Sequence, residues 1–344
     1  MSRAIPLAAI RFVLTKDVWI NPGLFTGGHE TSRVNSVQRQ TIFVLALAAT
    51  ALSSIAWQQA SAHAVAGNRV FPVTLTMDDP GVADEASVPT FSWQRDDSSG
   101  TPTGVYQWNF EYDKTITSNF GLGLNWGYNL NAVHGGKTAG GFQNLFLTAK
   151  YQAYVNAPHE FIFSAGVIRE FGGTGNTNQG ADRFGSTAPT IYMGKGLGDL
   201  PIGLLRPLAI TGELSYNIQD VRLNSTGDNM GGQNALNAGL SIQYSMPYLQ
   251  SQVKDFGLPG FFNHLIPLVE LTWSVQTGGV MIPSPTTFQI APGIIYMADK
   301  WQFGVEALIP GNTATGTHVG VIAQFHLFFD DIFPKSLGKP LIEW

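Results

Sequence analysis

The chain is 344 residues long, carries 19 Lys and Arg against 24 Asp and Glu, and contains no Cys. The missing thiol excludes a disulfide scaffold, Cys-ligated zinc and a Cys nucleophile, and the acidic net charge of −5 disfavours a nucleic-acid partner. With 39 Gly, 12% aromatics and only 12% charged residues, against a usual charged share of roughly 25%, the composition is that of a β-barrel in a membrane, with a large soluble β protein as the plain alternative.

The first recognisable element is an address. Residues 41–57 read TIFVLALAATALSSIAW, an uncharged apolar run preceded by Arg33 and Arg39. Two small-x-small sites follow, Ala60-Ser61-Ala62 and Ala62-His63-Ala64. This is the layout of a secretory signal peptide. The run is short for the roughly 20 residues of a spanning helix. Residues 1–33 are superfluous to such a signal and suggest an over-extended gene start, with Val34 or Val37 standing for an alternative start codon. Cleavage after Ala64 leaves 280 residues with 14 basic and 22 acidic side chains, a charge that fits export to the periplasm or outer membrane.

Beyond residue 65 no segment is long and apolar enough for a spanning helix. Segments with a period of two follow instead. Tyr106, Trp108, Phe110 and Tyr112 alternate with Gln107, Asn109 and Glu111. Phe120, Leu122, Leu124, Trp126, Tyr128 and Leu130 alternate with Gly and Asn. Period two places one set on each face of a strand. Further segments begin near residues 145, 161, 208, 236, 269, 288, 301 and 319, with a weaker one at 187–196 of undetermined parity. The connectors 113–118, 156–160, 197–202 and 299–300 are short. Those at 131–141, 172–186, 220–233 and 277–285 are longer and rich in Gly, Asn and Thr. Short periplasmic turns and longer external loops mark outer-membrane barrels. The connector 247–263 is long for its side, and Tyr248 to Asp255 suits one or two helical turns. Eleven strands from residue 104 need a partner rising from the periplasm, and 87–94 supplies it. The expectation is therefore an all-β, closed antiparallel transmembrane barrel of about twelve strands.

The apolar face ends in Tyr112, Tyr128, Tyr151, Tyr216, Tyr244, Tyr296 and Trp301, as interface girdles do. The other face is too polar for the dry core of a soluble sandwich. The expected organisation is 1–64 as extended N-terminus plus signal peptide, 65–86 as periplasmic linker, 87–329 as barrel and 330–344 as C-terminal tail.

Three stretches, RVFPVTLTMDDPGVADEASVPTF (69–91), MPYLQSQVKDFGLPGFFNHLIPLVE (246–270) and FHLFFDDIFPKSLGKPLIEW (325–344), give the chain a family likeness. It resembles uncharacterised proteobacterial outer-membrane transporter proteins. These are similar to the meta-pathway phenol-degradation outer-membrane family, relatives of hydrophobic-compound channels. The resemblance covers most of the exported chain. It implies a channel for small, apolar or aromatic solutes, located in the Gram-negative outer membrane among lipid and lipopolysaccharide. Trp344 departs from the pattern of a terminal strand aromatic, because about 15 residues separate it from the last strand.

With the aromatic-aliphatic set facing lipid, the lumen set holds Glu111, Lys150, Glu170, Glu213, Glu270, Glu306, Gln324 and His326. A Lys facing lipid at mid-depth costs about 2–4 kcal/mol, and Lys150 avoids that cost on this parity. Five acids and one Lys favour cations and neutral solutes if the lumen is open; a plugged barrel with internally paired charges is the alternative. No enzyme activity and no cofactor are expected. An outer-membrane lipid hydrolase needs a Ser, a His and an orienting group; no G-x-S-x-G occurs, and His134 and His318 are the candidates at the outer face. A structural or adhesive barrel is the other alternative. Residues 78–85 (DDPGVADE) are acid-rich but carry Pro at the third position of a would-be calcium loop, so they read as a solvated linker, in a place that would also suit a plug. The Gly-rich runs 172–180 and 227–232 lack a P-loop Lys and read as external loops.

Overall fold

The computed structural model describes residues 64–97, 100–220, 234–278 and 286–342. The proposed signal peptide, the run 227–232 and Trp344 lie outside the described residues. Two short strands, β1 (Ala64–Ala66) and β2 (Arg69–Phe71), pair as an antiparallel hairpin. The alternating segments then form β3 (Glu85–Asp96), β4 (Thr103–Thr117), β5 (Phe120–Val133), β6 (Thr138–Phe142), β7 (Leu145–Asn156), β8 (Phe161–Phe171) and β9 (Ser186–Gly196). They continue with β10 (Leu208–Gln219), β11 (Asn234–Tyr244), β12 (Leu265–Gly278), β13 (Thr287–Met297), β14 (Trp301–Pro310) and β15 (Gly320–Phe328).

Each of these strands from β3 onward pairs antiparallel with its neighbours, and β15 returns to β3 through Val321↔Trp93 to Phe328↔Glu85. The sheet is thereby a closed ring of twelve strands, counting β6 and β7 as two parts of one. Closure removes the unpaired edge that an open sheet would expose. β5 explains the split strand: Tyr128 faces Phe142 of β6, whereas Asn125 faces Phe146 of β7. At the break, Asn144 is buried. Its amide nitrogen donates to Glu170 Oε1 (2.7 Å) and to the Asp182 carbonyl (2.8 Å), tying the 172–185 loop to the wall.

Several boundaries differ from expectation. The first barrel strand spans 85–96 rather than 87–94, because Glu85 and Ala86 still find partners in Asp113 and Tyr112. The expected external loop 131–141 is largely strand, since β5 extends to Val133 and β6 pairs back onto it. The weak segment is a full strand, β9, in register with β8 and β10. The long connector on the short-turn side contains α1 (Met246–Tyr248), capped by the Ser245 hydroxyl accepting from the Tyr248 N–H. A wider five-residue turn, Leu249–Val253, follows it.

Burial alternates along the strands. Val305 is 37% exposed and Glu306 is 2%, and Phe325 is 37% exposed beside His326 at 1%. The exposed set is apolar all round the ring: Leu124, Leu147, Val167, Ile191, Leu214, Val269 and Phe303 belong to it. So large an apolar belt is unfavourable in water and suited to hydrocarbon. Aromatic rings gather at its two margins. Tyr106, Trp108 and Tyr128 neighbour one another at the long-loop end. Tyr296, Trp301 and Phe325 do so at the short-turn end. No described helix is long and apolar enough to cross a membrane, which says nothing of crossing by strands.

Candidate functional site

The segment before β3 was expected to lie outside the barrel, as a linker over 65–86. The structure corrects this. Residues 64–84 meet the buried faces of strands all around the ring, from β4 and β5 through β7–β12 to β14. Within a closed ring, one short segment can reach all of them only from inside.

The physical reason is a supply of polar partners on the wall that replace the water a solvated linker would bond. Leu75 N–H donates to Glu270 Oε1 (3.0 Å) and Thr76 N–H to Glu270 Oε2 (2.8 Å), with the Thr76 hydroxyl on the same oxygen. Asp78 N–H donates to Glu213 Oε2 (3.0 Å). Lys150 Nζ lies 2.6 Å from Asp78 Oδ2 and donates to the Asp79 carbonyl (3.0 Å). Gln302 donates to the Val73 carbonyl (2.6 Å) and Ser164 to that of Pro80 (2.5 Å). Backbone groups buried without strand partners are thus satisfied by the wall's polar side chains. Small residues make the room: a Cβ at Gly239 would stand 2.5 Å from the Met77 sulfur, and one at Gly304 would stand 2.6 Å from Leu75 Cδ1. Leu75 also packs with Ile266, Leu268, Ala291, Ile295, Leu308 and Ile322.

Both ends of the insert are fastened at the short-turn side. At entry, Arg69 is fully buried and donates to Glu160 Oε2 (Nε, 3.1 Å), the Pro207 carbonyl (3.1 Å) and the Arg206 carbonyl (2.5 Å). Its guanidinium lies 3.8 Å over the Tyr248 ring, and the Tyr248 hydroxyl donates to Glu160 Oε1 (2.6 Å). Burial, then the bonded Glu160 carboxylate, pushes the Tyr248 phenol up to about 12. Glu160 holds a left-handed backbone, φ +47°, at the turn after β7.

At exit, Asp84 Oδ1 accepts from Lys114 Nζ (2.6 Å) and Thr115 N–H (2.9 Å), and the Thr115 hydroxyl donates to Oδ2. The chain after β15 returns here as α2 (Phe329–Ile332). Phe329 N–H donates to the Asp84 carbonyl, Asp84 N–H donates to Asp330 Oδ1, and Lys114 also donates to the carbonyls of Leu337 and Lys339. Burial, then the neighbouring Asp84 carboxylate, pushes the Asp330 carboxyl up to about 8.

The eight residues expected to line the lumen are distributed as follows. Glu213, Glu270 and Lys150 hold the apex of the insert. Glu306 is buried next to Glu270, and neither of its oxygens bonds a donor among the described residues. Gln324 donates to Thr90 Oγ1 (3.1 Å) and accepts from Gln302. Glu170 accepts from Asn144 and from the Ser186 hydroxyl (2.8 Å) at the long-loop end, away from the insert. Glu111 stands beside Ser87 across the β3–β4 pair. His326 is fully buried between the Ser87 hydroxyl (Nδ1, 2.9 Å) and Glu85 Oε2 (Nε2, 3.1 Å).

Ser87, His326 and Glu85 follow the order of a hydrolase relay with the two ring nitrogens exchanged, the hydroxyl on Nδ1 and the carboxylate on Nε2. Ser87 and His326 are both buried, each about 1% exposed, so no acyl substrate reaches the serine in this arrangement. His318, a hydrolase candidate from the sequence, has Nε2 2.7 Å from Asp97 Oδ2. Arg69, Glu160, Tyr248, Asp78 and Asp84 escaped the sequence reading as site residues. The one available signal was Arg69 inside an alternating apolar stretch, RVFPVTLTM, where a solvated linker would be polar throughout.

No protein-family model and no curated protein matches the chain. Among solved structures, an outer-membrane channel from Pseudomonas putida F1 superposes with a TM-score of 0.53 at 13% identity, covering 75% of this chain and 99% of the channel. The NanC porin gives 0.45 at 9% identity, covering 70% and 98%, and the KdgM porin 0.42 at 10%, covering 70% and 98%. At such identities the likeness to the channel is one of fold, and the fold is that of an outer-membrane β-barrel.

Proposed function

We propose that the protein is a channel of the Gram-negative outer membrane for small solutes, exported by the signal peptide over residues 41–57 and embedded among lipid and lipopolysaccharide. The observation that carries the proposal is a closed barrel with an apolar outer belt and a polar interior narrowed by its own N-terminal segment. A merely structural barrel needs no such interior: apolar residues could fill it without buried carboxylates, which are costly unless paired. The inward acids Glu111, Glu213, Glu270 and Glu306, with Lys150, Glu170, Gln324 and His326, line the route. The family resemblance extends the proposal to apolar and aromatic solutes. Planar-bilayer recording tests it. Discrete conductance steps that change when Glu270 or Glu213 is replaced by Gln support the channel; a silent barrel, with liposomes that do not swell in small sugars, favours the structural or adhesive alternative.

A further inference from the structure

Above the apex of the insert, towards the long loops, the lumen holds a cavity of about 240 Å³, the liquid volume of about eight waters. Its floor includes Thr76, and its walls include Glu213, Asn237, Thr272, Ser274 and Gln289. Strand polarity places it: Thr272 and Ser274 lie past the middle of β12, and Asn237 and Gln289 near the loop-side starts of β11 and β13.

The polar part of the lining is hydroxyl, amide and one carboxylate, with no Lys or Arg, and Met77, Ala238, Gly239 and Trp273 complete it. Part of this polarity is spent internally, as the Ser274 hydroxyl donates to Asn237 Oδ1 (2.6 Å) and the Thr76 hydroxyl to Glu270. The Asn237 oxygen thereby accepts one bond, which fixes the orientation of the amide and with it of the NH2 donors. Carboxylate and amide oxygens accept, amide NH2 groups donate, and hydroxyls do either. Such a set pairs with a solute whose own hydroxyls point several ways. An apolar solute of equal size would leave these groups unpaired, and an anion would meet Glu213 with no compensating base.

We infer that this cavity is a binding site for a compact, hydroxyl-rich, non-anionic solute of about the size of one sugar ring. The inference deepens the channel reading and rests on it only for the site's place on a solute route. It also separates the outer half of the lumen from the apolar solutes that the family resemblance suggests.

Saturation-transfer NMR on the full exported chain in lipid nanodiscs, with empty nanodiscs as blank, tests it with glucose, glucosamine and gluconate. These probes share a carbon count, glucosamine and gluconate bring opposite charges, and gluconate also lacks the ring. Glucose and glucosamine should give signals at least fivefold stronger than gluconate. Thr272→Val, which removes one hydroxyl and keeps the shape, should weaken the glucose signal about threefold. Glu213→Gln should abolish the preference for glucosamine over gluconate. A gluconate signal equal to that of glucose, no signal from any of the three, or glucose signals unchanged in both variants would overturn the inference. The readout does not depend on transport: a barrel that conducts without binding glucose sinks the inference and leaves the channel reading intact, and a barrel that binds glucose but does not conduct does the reverse.

Discussion

Arg69 is the residue on which the insert's position depends most. Its charge is out of water, and its compensation comes from Glu160, two carbonyls and the Tyr248 ring. Removing one partner of a buried pair typically costs about 3–5 kcal/mol, because the other charge is stranded. Arg69→Ala should therefore lower the thermal midpoint strongly in a detergent melt, whereas Tyr248→Phe, which removes one bond to Glu160, should cost about 1–3 kcal/mol. Equal effects of the two would show that the Tyr248–Glu160 hydrogen bond, which Phe removes while keeping the ring under the guanidinium, matters as much as the Arg69 charge. At the apex, Glu270 offers two oxygens to three donors. Glu270→Gln keeps one acceptor and turns an NH2 towards donors. The apex amides of Leu75 and Thr76 should then exchange with deuterium at least tenfold faster, while those of Arg69 and Asp84 stay protected.

At the scale of elements, the strands were legible and the insert was not. Alternation is local: Phe110, Glu111 and Tyr112 announce a strand whatever happens elsewhere. The insert is specified by partners far along the chain. Leu75 and Glu270 are 195 residues apart, and Arg69 and Glu160 are 91 apart, so no window over 65–86 displays them. The same holds for the tail, whose Leu341 and Ile342 amides donate to the Thr115 and Ile116 carbonyls. This latch should respond to pH. Burial raises the Asp330 carboxyl above its ordinary value, to about 8, so its neutral form fits the docked tail and its charged form opposes docking. The contribution is full below about pH 4, declines as pH rises and is gone above about 8. A spin label at Ser336 should gain mobility between pH 6 and 9 in the native chain. In an Asp330→Asn variant it should stay immobile throughout, and a pH response that survives the substitution would assign the titration to another group.

At the scale of the molecule, the described chain begins inside the barrel. Ala64 is buried, pairs with Phe71 and packs against Gly81. Cleavage after Ala62 keeps that pairing and cleavage after Ala64 loses it, so N-terminal sequencing of the exported protein is expected to find His63 first. The central claim is that residues 64–84 occupy the lumen of a closed barrel in the membrane. The chain's lack of Cys makes one measurement direct. Met77 Cβ lies 3.0 Å from the position a Cβ would take at Gly239, about half an ångström inside the roughly 3.5–4.5 Å that a disulfide spans, a gap that a small outward shift of the insert closes. The double variant Met77→Cys with Gly239→Cys, expressed in outer membranes and oxidised there, should lose both free thiols and form an intramolecular cross-link detected by mass spectrometry. Two thiols that stay free and readily alkylated, in a barrel that still shows heat-modifiable gel migration, would contradict the account by placing the insert outside the lumen.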